Sequence, residues 1–551
     1  MKESMITVSL GRRKLEVARG TLVGDLAAMV PEAKDAVVAR VDNDVMGFQF
    51  PLMRDCWVEF LTPHSEEGMR AYRASLVFLF VRAALEVLPD SVVHIKHSLN
   101  NGLYGEIEYK EPVIERHIIQ IEARMRELVA EDVPFERRTV SLEEARRIYG
   151  EQGFEDKLRL LEYYPGDEVT LYSFGWLHDY LSSVLVPSAG VLQHFKLRYY
   201  LPGFILEYPR RVDPYRLQEY VEQGKLFNVF FQTGKWQENL GIPDAASLND
   251  CIKQGGFKEL VHVSEAYHEN QISEIAKQIA RDRDRLRVIL IAGPSSSGKT
   301  TFAQRLSVQL RVEGLQPVAI GLDDYFVDRH LTPRDEDGIV DFEALEAIDI
   351  ELFNEHLTKL IQGDEVEIPT FDFMTGSRKW NGRRLQVRVD QPIIIEGIHG
   401  LNDKLTASIP KGRKFKIYIS ALTNLNLDNH TRISTTDVRM LRRMVRDAQF
   451  RAHDAKATID RWPLVTRGEH RHIFPFQEDA DAMFNSTLIY ELAVLKPFAE
   501  KLLREITPED RQYAAAQRLL RFLSHFIPAT DLDVIPCNSI LREFIGGSCF
   551  A

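Results

Sequence analysis

Gly293-Pro294-Ser295-Ser296-Ser297-Gly298-Lys299-Thr300 satisfies G-x-x-x-x-G-K-[ST] at every position. The apolar run Arg287–Ala292 before it reads as a buried strand, and helical periodicity begins at Lys299. Strand, glycine-rich bend and helix N-terminus together make a cradle for phosphate. The bend aims backbone N–H groups at the anion, and the helix dipole adds positive potential. Lys299 is expected to reach the β- and γ-phosphates, and the Thr300 hydroxyl to ligate Mg²⁺. Gly293, Pro294, Ser295, Ser296, Ser297, Gly298, Lys299, Thr300 and Thr301 form the expected nucleotide-binding set.

Working outward, the runs RVILIAG, PVAIGL, PIIIEG and FKIYIS alternate with helical patterns between residues 286 and 503. That alternation predicts an α/β domain with a parallel, doubly wound sheet. In such a sheet the ligand crevice lies at the carboxyl ends of the strands. Pro317–Leu322 ends in Asp323-Asp324-Tyr325-Phe326, and Pro392–Ile395 runs into Glu396-Gly397. By position, one of the first two acids accepts the proton of an attacking hydroxyl, or both are solvated turn residues. Glu396 is placed to complete a Mg²⁺ shell opposite Thr300. Further on, Arg439, Arg443 and Arg446 share one face of the helical stretch 432–451, with Arg442 and Arg451 close by. This is either a lid over transferring phosphates or a solvated basic face.

The whole chain has 551 residues and a formal net charge of -12, which disfavours nonspecific binding of nucleic acid or anionic membrane as its main task. Cys56, Cys251, Cys537 and Cys549 are far apart, without a C-x-x-C pair, and read as reduced thiols. The start lacks the apolar core of a signal peptide, and the apolar stretch Ser75–Pro89 is too short and too charged to span a bilayer. A cytoplasmic protein is the expectation. The alternating run Met5–Val17 predicts a β-hairpin, Val23–Met29 a helix, and Glu66–Leu88 a long helix. The expected organisation is a β-rich module over 1–62, an α+β module over 63–210, a helical connector over 211–285, the phosphate-binding domain over 286–503 and a helical extension over 504–551.

The motifs of residues 286–503 together resemble the uridine kinase and phosphoribulokinase family. Asp323-Asp324-Tyr325-Phe326 is similar to that family's D-x-[FY]-Y element, which makes Asp323 the implied general base. Phe342–Asp349 aligns with F-D-H-P-x-A-x-D. The acid that binds ribose hydroxyls would then be Glu343, with Asp341 as the alternative. Phe371-Asp372-Phe373 and Arg378 match Y-D-F-x-x-x-x-R. Arg442-Arg443-Met444-Val445-Arg446-Asp447 with Arg451 matches the lid pattern. The resemblance implies ATP and Mg²⁺ as cofactors, Lys299, Asp323, Arg443 and Arg446 as catalytic groups, and Glu343, Asp341, Phe371, Arg378 and Arg451 at the acceptor. Two departures matter. The groups that read a pyrimidine edge fall at Phe371 and Gly376, where neither side chain makes those hydrogen bonds.

The first 209 residues resemble the TGS and editing (second additional) domains of threonyl-tRNA synthetases. The likeness is carried by Met5–Ala28, by Leu88-Pro89-Asp90, by Asn101-Gly102-Leu103-Tyr104 and by Gln193–Leu197. The editing site's metal-ligand and thiolate positions fall at Ala74, Phe78 and Tyr172, which implies loss of editing chemistry. His94, His97, His178 and His194 are expected to be ordinary histidines rather than a rebuilt metal site.

The resulting expectation is an ATP-dependent kinase acting on a nucleoside 5′-hydroxyl of the uridine or cytidine kind. Two other readings remain open: a kinase of a different small alcohol, such as a sugar phosphate or a pantothenate-like compound, and a nucleotide-gated protein contacting RNA or tRNA through its N-terminal half. The sequence leaves monomer or homo-oligomer undecided.

Overall fold

A computed structural model describes residues 4–334, 338, 340–372 and 374–550. Phe373 of the family-like aromatic motif lies outside the described residues.

The parallel sheet forms as the apolar runs predict. Its spatial order is Val318–Gly321, Ile393–Glu396, Val288–Ala292, Lys414–Ser420, Ala482–Asn485, with every pairing parallel. Val288–Ala292 is central and buried at all five positions, which is why it reads as an unbroken apolar run rather than an alternating one. The bend 293–298 leaves its carboxyl end and feeds the helix Lys299–Val312. Asp323 and Glu396 follow or end the two strands on one side, so topology alone brings these acids to the mouth of the bend.

At the other end of the chain, Met5–Leu10 and Arg13–Ala18 make the hairpin. Met5–Leu10 also pairs in parallel with Cys56–Leu61, and Val23–Met29 forms the intervening helix, a β-grasp arrangement. Ser65 caps the helix Glu66–Val87 by accepting a hydrogen bond from the Gly68 N–H at 3.0 Å. This helix is buried nearly all round, among a four-stranded antiparallel sheet (Lys196–Tyr200, Gly203–Glu207, Gly102–Glu108, Val92–Leu99) and a three-stranded one.

The segment 504–551 packs against the parallel-sheet domain. Leu519, Leu523, Ile540, Leu541 and Phe544 share one apolar cluster with Leu441, Met444 and Val445. The N-terminal part is also fastened to the parallel-sheet domain. At a bulge in strand Val92–Leu99, the Ile95 N–H donates to the Asn429 carbonyl at 2.8 Å, and its carbonyl accepts from Asn426 Nδ2. Beside this seam, buried Lys157 Nζ bridges Asp179 (2.7 Å) and Asp428 (2.9 Å). Among the described residues, no helix is long and apolar enough to cross a membrane.

Candidate active site

The backbone dictates the bend. A Cβ on Gly293 would lie 1.9 Å from the Ile419 carbonyl oxygen, so only glycine lets the loop pass this close to the neighbouring strand. Gly298 has φ +83, and Ser296 also adopts positive φ (58°). Lys299 curls over the loop, its ammonium donating to the Gly293 (2.9 Å) and Pro294 (3.2 Å) carbonyls.

Four carboxylates face that ammonium electrostatically: Glu396, Glu543, Asp323 and Glu343. Burial lowers the Lys299 pKa and the acids oppose that shift. Glu396, Asp323 and Glu343 are raised. Burial is the main cause for Glu396 and Asp323, while burial and then repulsion from Glu469 push Glu343 up to about 7. Thr300 Oγ1 donates to Glu396 Oε1 at 3.1 Å, and Glu396 Oε2 is buried without a hydrogen-bond partner. A hydroxyl beside a carboxylate with one orphaned oxygen is a fitting donor set for a hard divalent cation.

The arginine helix, Thr435–Phe450, divides its cations between two tasks. Arg443 Nη1 donates to Ser295 Oγ at 2.9 Å and its Nε lies 3.2 Å from Asp447, which also holds Arg446 at 3.0 Å. Arg451, half exposed, faces Asp323 and Glu543. Arg439, expected on the same face as Arg443 and Arg446, is instead buried. Its Nε donates to the Ser295 carbonyl at 2.9 Å, and it pairs with Glu469. Buried Arg442 joins the Glu491 carboxylate to the Ser486 and Ser296 carbonyls. Both brace the bend from behind, so the helical spacing overstated the phosphate-facing set.

On the acceptor side, the Glu343 N–H donates to Asp341 Oδ1 at 3.0 Å, and the Glu343 side chain packs against Gly468. Phe371 is buried, its ring 5.5 Å from that of Phe326. The Arg378 guanidinium is held by Asp349 Oδ2 at 2.9 Å and by the Phe326 carbonyl, in the loop after Asp323. The Arg329 side chain lies directly against Gly376. Trp462 is buried beneath Arg439, 5.5 Å from its guanidinium, while Trp380 is half exposed beside His356.

Two site residues had no sequence signal, because each is remote from the motif and lies on an otherwise ordinary helix. Glu469 Oε1 accepts from the Ser295 N–H at 2.9 Å. Glu543 accepts from the Thr301 N–H (3.3 Å) and hydroxyl (2.8 Å), and Ile540 of the same terminal segment sits over Gly298.

Residues 288–492 match the Phosphoribulokinase / Uridine kinase family. The match covers the bend, Asp323, Glu343, Glu396 and the arginine helix. The N-terminal region is similar to a different group of proteins. Threonine-tRNA ligase of Rubrobacter xylanophilus is 35% identical over 197 residues, 35% of this chain and 30% of that protein. Threonine-tRNA ligase 1 of Bacillus subtilis is 31% identical over 185 residues, 33% of this chain and 29% of that protein. The chain therefore spans about 30% of the length of these relatives. The solved structure of a possible uridine kinase from Bacillus stearothermophilus is 26% identical, covers 27% of this chain and 79% of its own, and superposes with a TM-score of 0.23.

In the synthetase-like part, Phe78 stacks on Phe135 at 5.9 Å and lies 5.8 Å from Phe174. Phe78 therefore lies in a buried aromatic core. His97 is stacked on Phe230 at 4.1 Å, His94 lies 3.2 Å from Glu108, and His178 bonds Ser173, so these histidines have separate partners.

Proposed function

We propose that this protein transfers the γ-phosphoryl group of ATP to a hydroxyl of a small alcohol, a nucleoside being the first candidate. The observation that carries the reading is the meeting of Lys299, Asp323 and the Thr300–Glu396 pair at one mouth of the parallel sheet. In this mechanism the bend 293–301 cradles the triphosphate with backbone N–H groups, and Lys299 turns from the loop carbonyls to the phosphates. Thr300 and Glu396 would hold Mg²⁺, which when bound neutralises charge on the phosphate oxygens. Asp323 takes the proton of the attacking hydroxyl. Burial raises its pKa, which makes it a stronger base than an exposed aspartate. Arg443, Arg446 and Arg451 screen the developing charge, and Glu343, backed by Asp341, accepts hydrogen bonds from acceptor hydroxyls. Arg378 and Phe371 shape the loop that carries the acceptor.

The loss of base-reading side chains at Phe371 and Gly376 supports a second reading, an acceptor other than a nucleoside, such as a sugar phosphate. ADP release measured with uridine, cytidine, sugar phosphates and pantothenate-like alcohols separates the two, with K299A as the blank. Turnover with none of them above that blank would overturn the kinase assignment.

We also propose the modular division 1–62, 63–210, 211–285, 286–503 and 504–551. A tRNA contact through the N-terminal half is the partner that its synthetase relatives suggest, to be tested by salt-dependent tRNA binding to the full chain.

A further inference from the structure

A cavity of ≈ 250 Å³ lies where three parts of the chain meet, outside the phosphate-binding mouth. Four arginines line it: Arg70 and Arg73 from the helix Glu66–Val87, Arg432 from the loop before the arginine helix, and Arg518 from the helix Tyr513–Ser524. The acids in its wall are Glu66 and Asp437. Arg518 uses Asp437 in a two-pronged pair at 2.6 and 2.9 Å, and Arg70 binds Glu66 at 2.7 Å. Asp437 also lies 4.0 Å from Arg70, so Arg70 and Arg518 take up both acids, and four guanidiniums face two carboxylates.

Arg73 and Arg432 are left without a carboxylate at ion-pair distance among the described residues. Arg73 lies over the Tyr208 ring. Arg432 donates one N–H to Ser98 Oγ at 2.8 Å, while its Nε is buried without a hydrogen-bond partner. Thr431, also in the wall and only 8% exposed, has a buried hydroxyl with no partner. Burial and then repulsion between neighbouring guanidiniums lower the pKa of Arg70, and burial lowers that of Arg432 to about 10, whereas at Arg73 the neighbouring Tyr208, Glu66 and Asp437 outweigh burial and raise it. Holding two unmatched cations together in a partly desolvated cavity is unfavourable unless an anion joins them.

We propose that this cavity is a binding site for a compact dianion of the phosphomonoester type. The charge requirement is two, set by Arg73 and Arg432. Planar guanidinium forks converging from different segments match the several oxygens of a phosphate. Hydroxyls of Ser182, Ser183 and Thr431 line the same space, and Val77 and Leu103 supply an apolar wall for a small organic remainder. A ligand here touches the synthetase-like part, the kinase-like part and the C-terminal segment at once. Asp437, in the first turn of the helix that carries Arg443, borders the cavity, so occupancy bears directly on that helix.

The test is calorimetric titration of the full-length K299A protein with inorganic phosphate at fixed ionic strength, which removes the contribution of the P-loop lysine. The expected result is saturable binding near one equivalent, weakened at least tenfold by R73Q and by R432Q and less by R432K. Should either glutamine variant fail to fold, T431V removes only the unpartnered hydroxyl and is expected to weaken binding severalfold. Absence of binding to K299A, or an affinity unchanged in the folded variants, overturns the site. Succinate binding more tightly than phosphate overturns the phosphomonoester class. Because the readout is binding without turnover, the result stands apart from the fate of the kinase proposal.

Discussion

The Glu469 carboxylate accepts a hydrogen bond from the Ser295 backbone N–H at 2.9 Å, while Arg439 grips both Glu469 and the Ser295 carbonyl. The phosphate-binding bend is thus held by two long helices packed behind it, Thr435–Phe450 and Ala455–His472. Catalysis by positioning requires a loop that does not relax, and this buttress supplies the rigidity.

Replacing Lys299 by Ala is expected to reduce ATP-dependent phosphorylation by about 10²- to 10³-fold, the usual effect of removing one charge-stabilising group at a reacting centre. ADP release is the measurement, with far-UV circular dichroism showing that the fold persists.

Asp323→Asn is expected to lower turnover by about 10²- to 10⁴-fold while leaving nucleotide affinity within a few-fold, since a general base acts on the proton and not on ATP binding. Comparing kcat with the ATP dissociation constant tests it. Retained turnover would remove Asp323 from the base role.

Glu343 gives a pH signature. Its folded pKa of about 7 lies above the ordinary 4.5, so its contribution to stability is fully present below about pH 4.5 and is lost as pH rises through about 7. E343Q, which cannot ionise, is expected to melt higher than the parent above pH 7, with the gap shrinking as pH falls toward 4.5. Acceptor KM in the parent should fall as pH rises through about 7, because only the ionised carboxylate accepts hydrogen bonds on both oxygens. A pH-independent melting difference would contradict this environment for Glu343.

Buried Arg442 and Glu491 form a pair whose halves are costly alone. R442M leaves the Glu491 carboxylate buried and uncompensated, for a loss of about 3–5 kcal/mol in chemical denaturation. The double variant R442M/E491M is expected to recover most of that loss. Equal destabilisation in the single and double variants would show that packing, not charge, sets the cost.

Glu543 places a carboxylate on the Thr301 N–H, at the end of the bend where a nucleotide phosphate would approach. E543Q keeps an acceptor for that N–H and removes the charge, so ATP affinity is expected to rise by roughly fivefold, about 1 kcal/mol of relieved repulsion. Fluorescent-nucleotide titration measures it, and unchanged affinity would place Glu543 outside the phosphate path.

What the sequence determined by itself was local. The bend from Gly293 to Thr300, the strand before it and the helix after it are fixed by neighbours in the chain. Only glycine tolerates the approach at Gly293 and the positive φ at Gly298, and five apolar residues in succession suit a strand buried on both faces. The acids after two other strands were legible for the same reason, since a parallel sheet delivers its strand ends to one edge. Tertiary structure alone decided which arginines of a single helix face the mouth and which brace it. Helical spacing puts Arg439 beside Arg443, but packing against Glu469 and Trp462 buries the first. It alone decided that Glu469 and Glu543 belong to the bend, and that Arg73, Arg432 and Arg518 share one cavity. The physical reason is that electrostatic coupling depends on distance through space and on exclusion of water, and neither is written in the separation of residues along the chain.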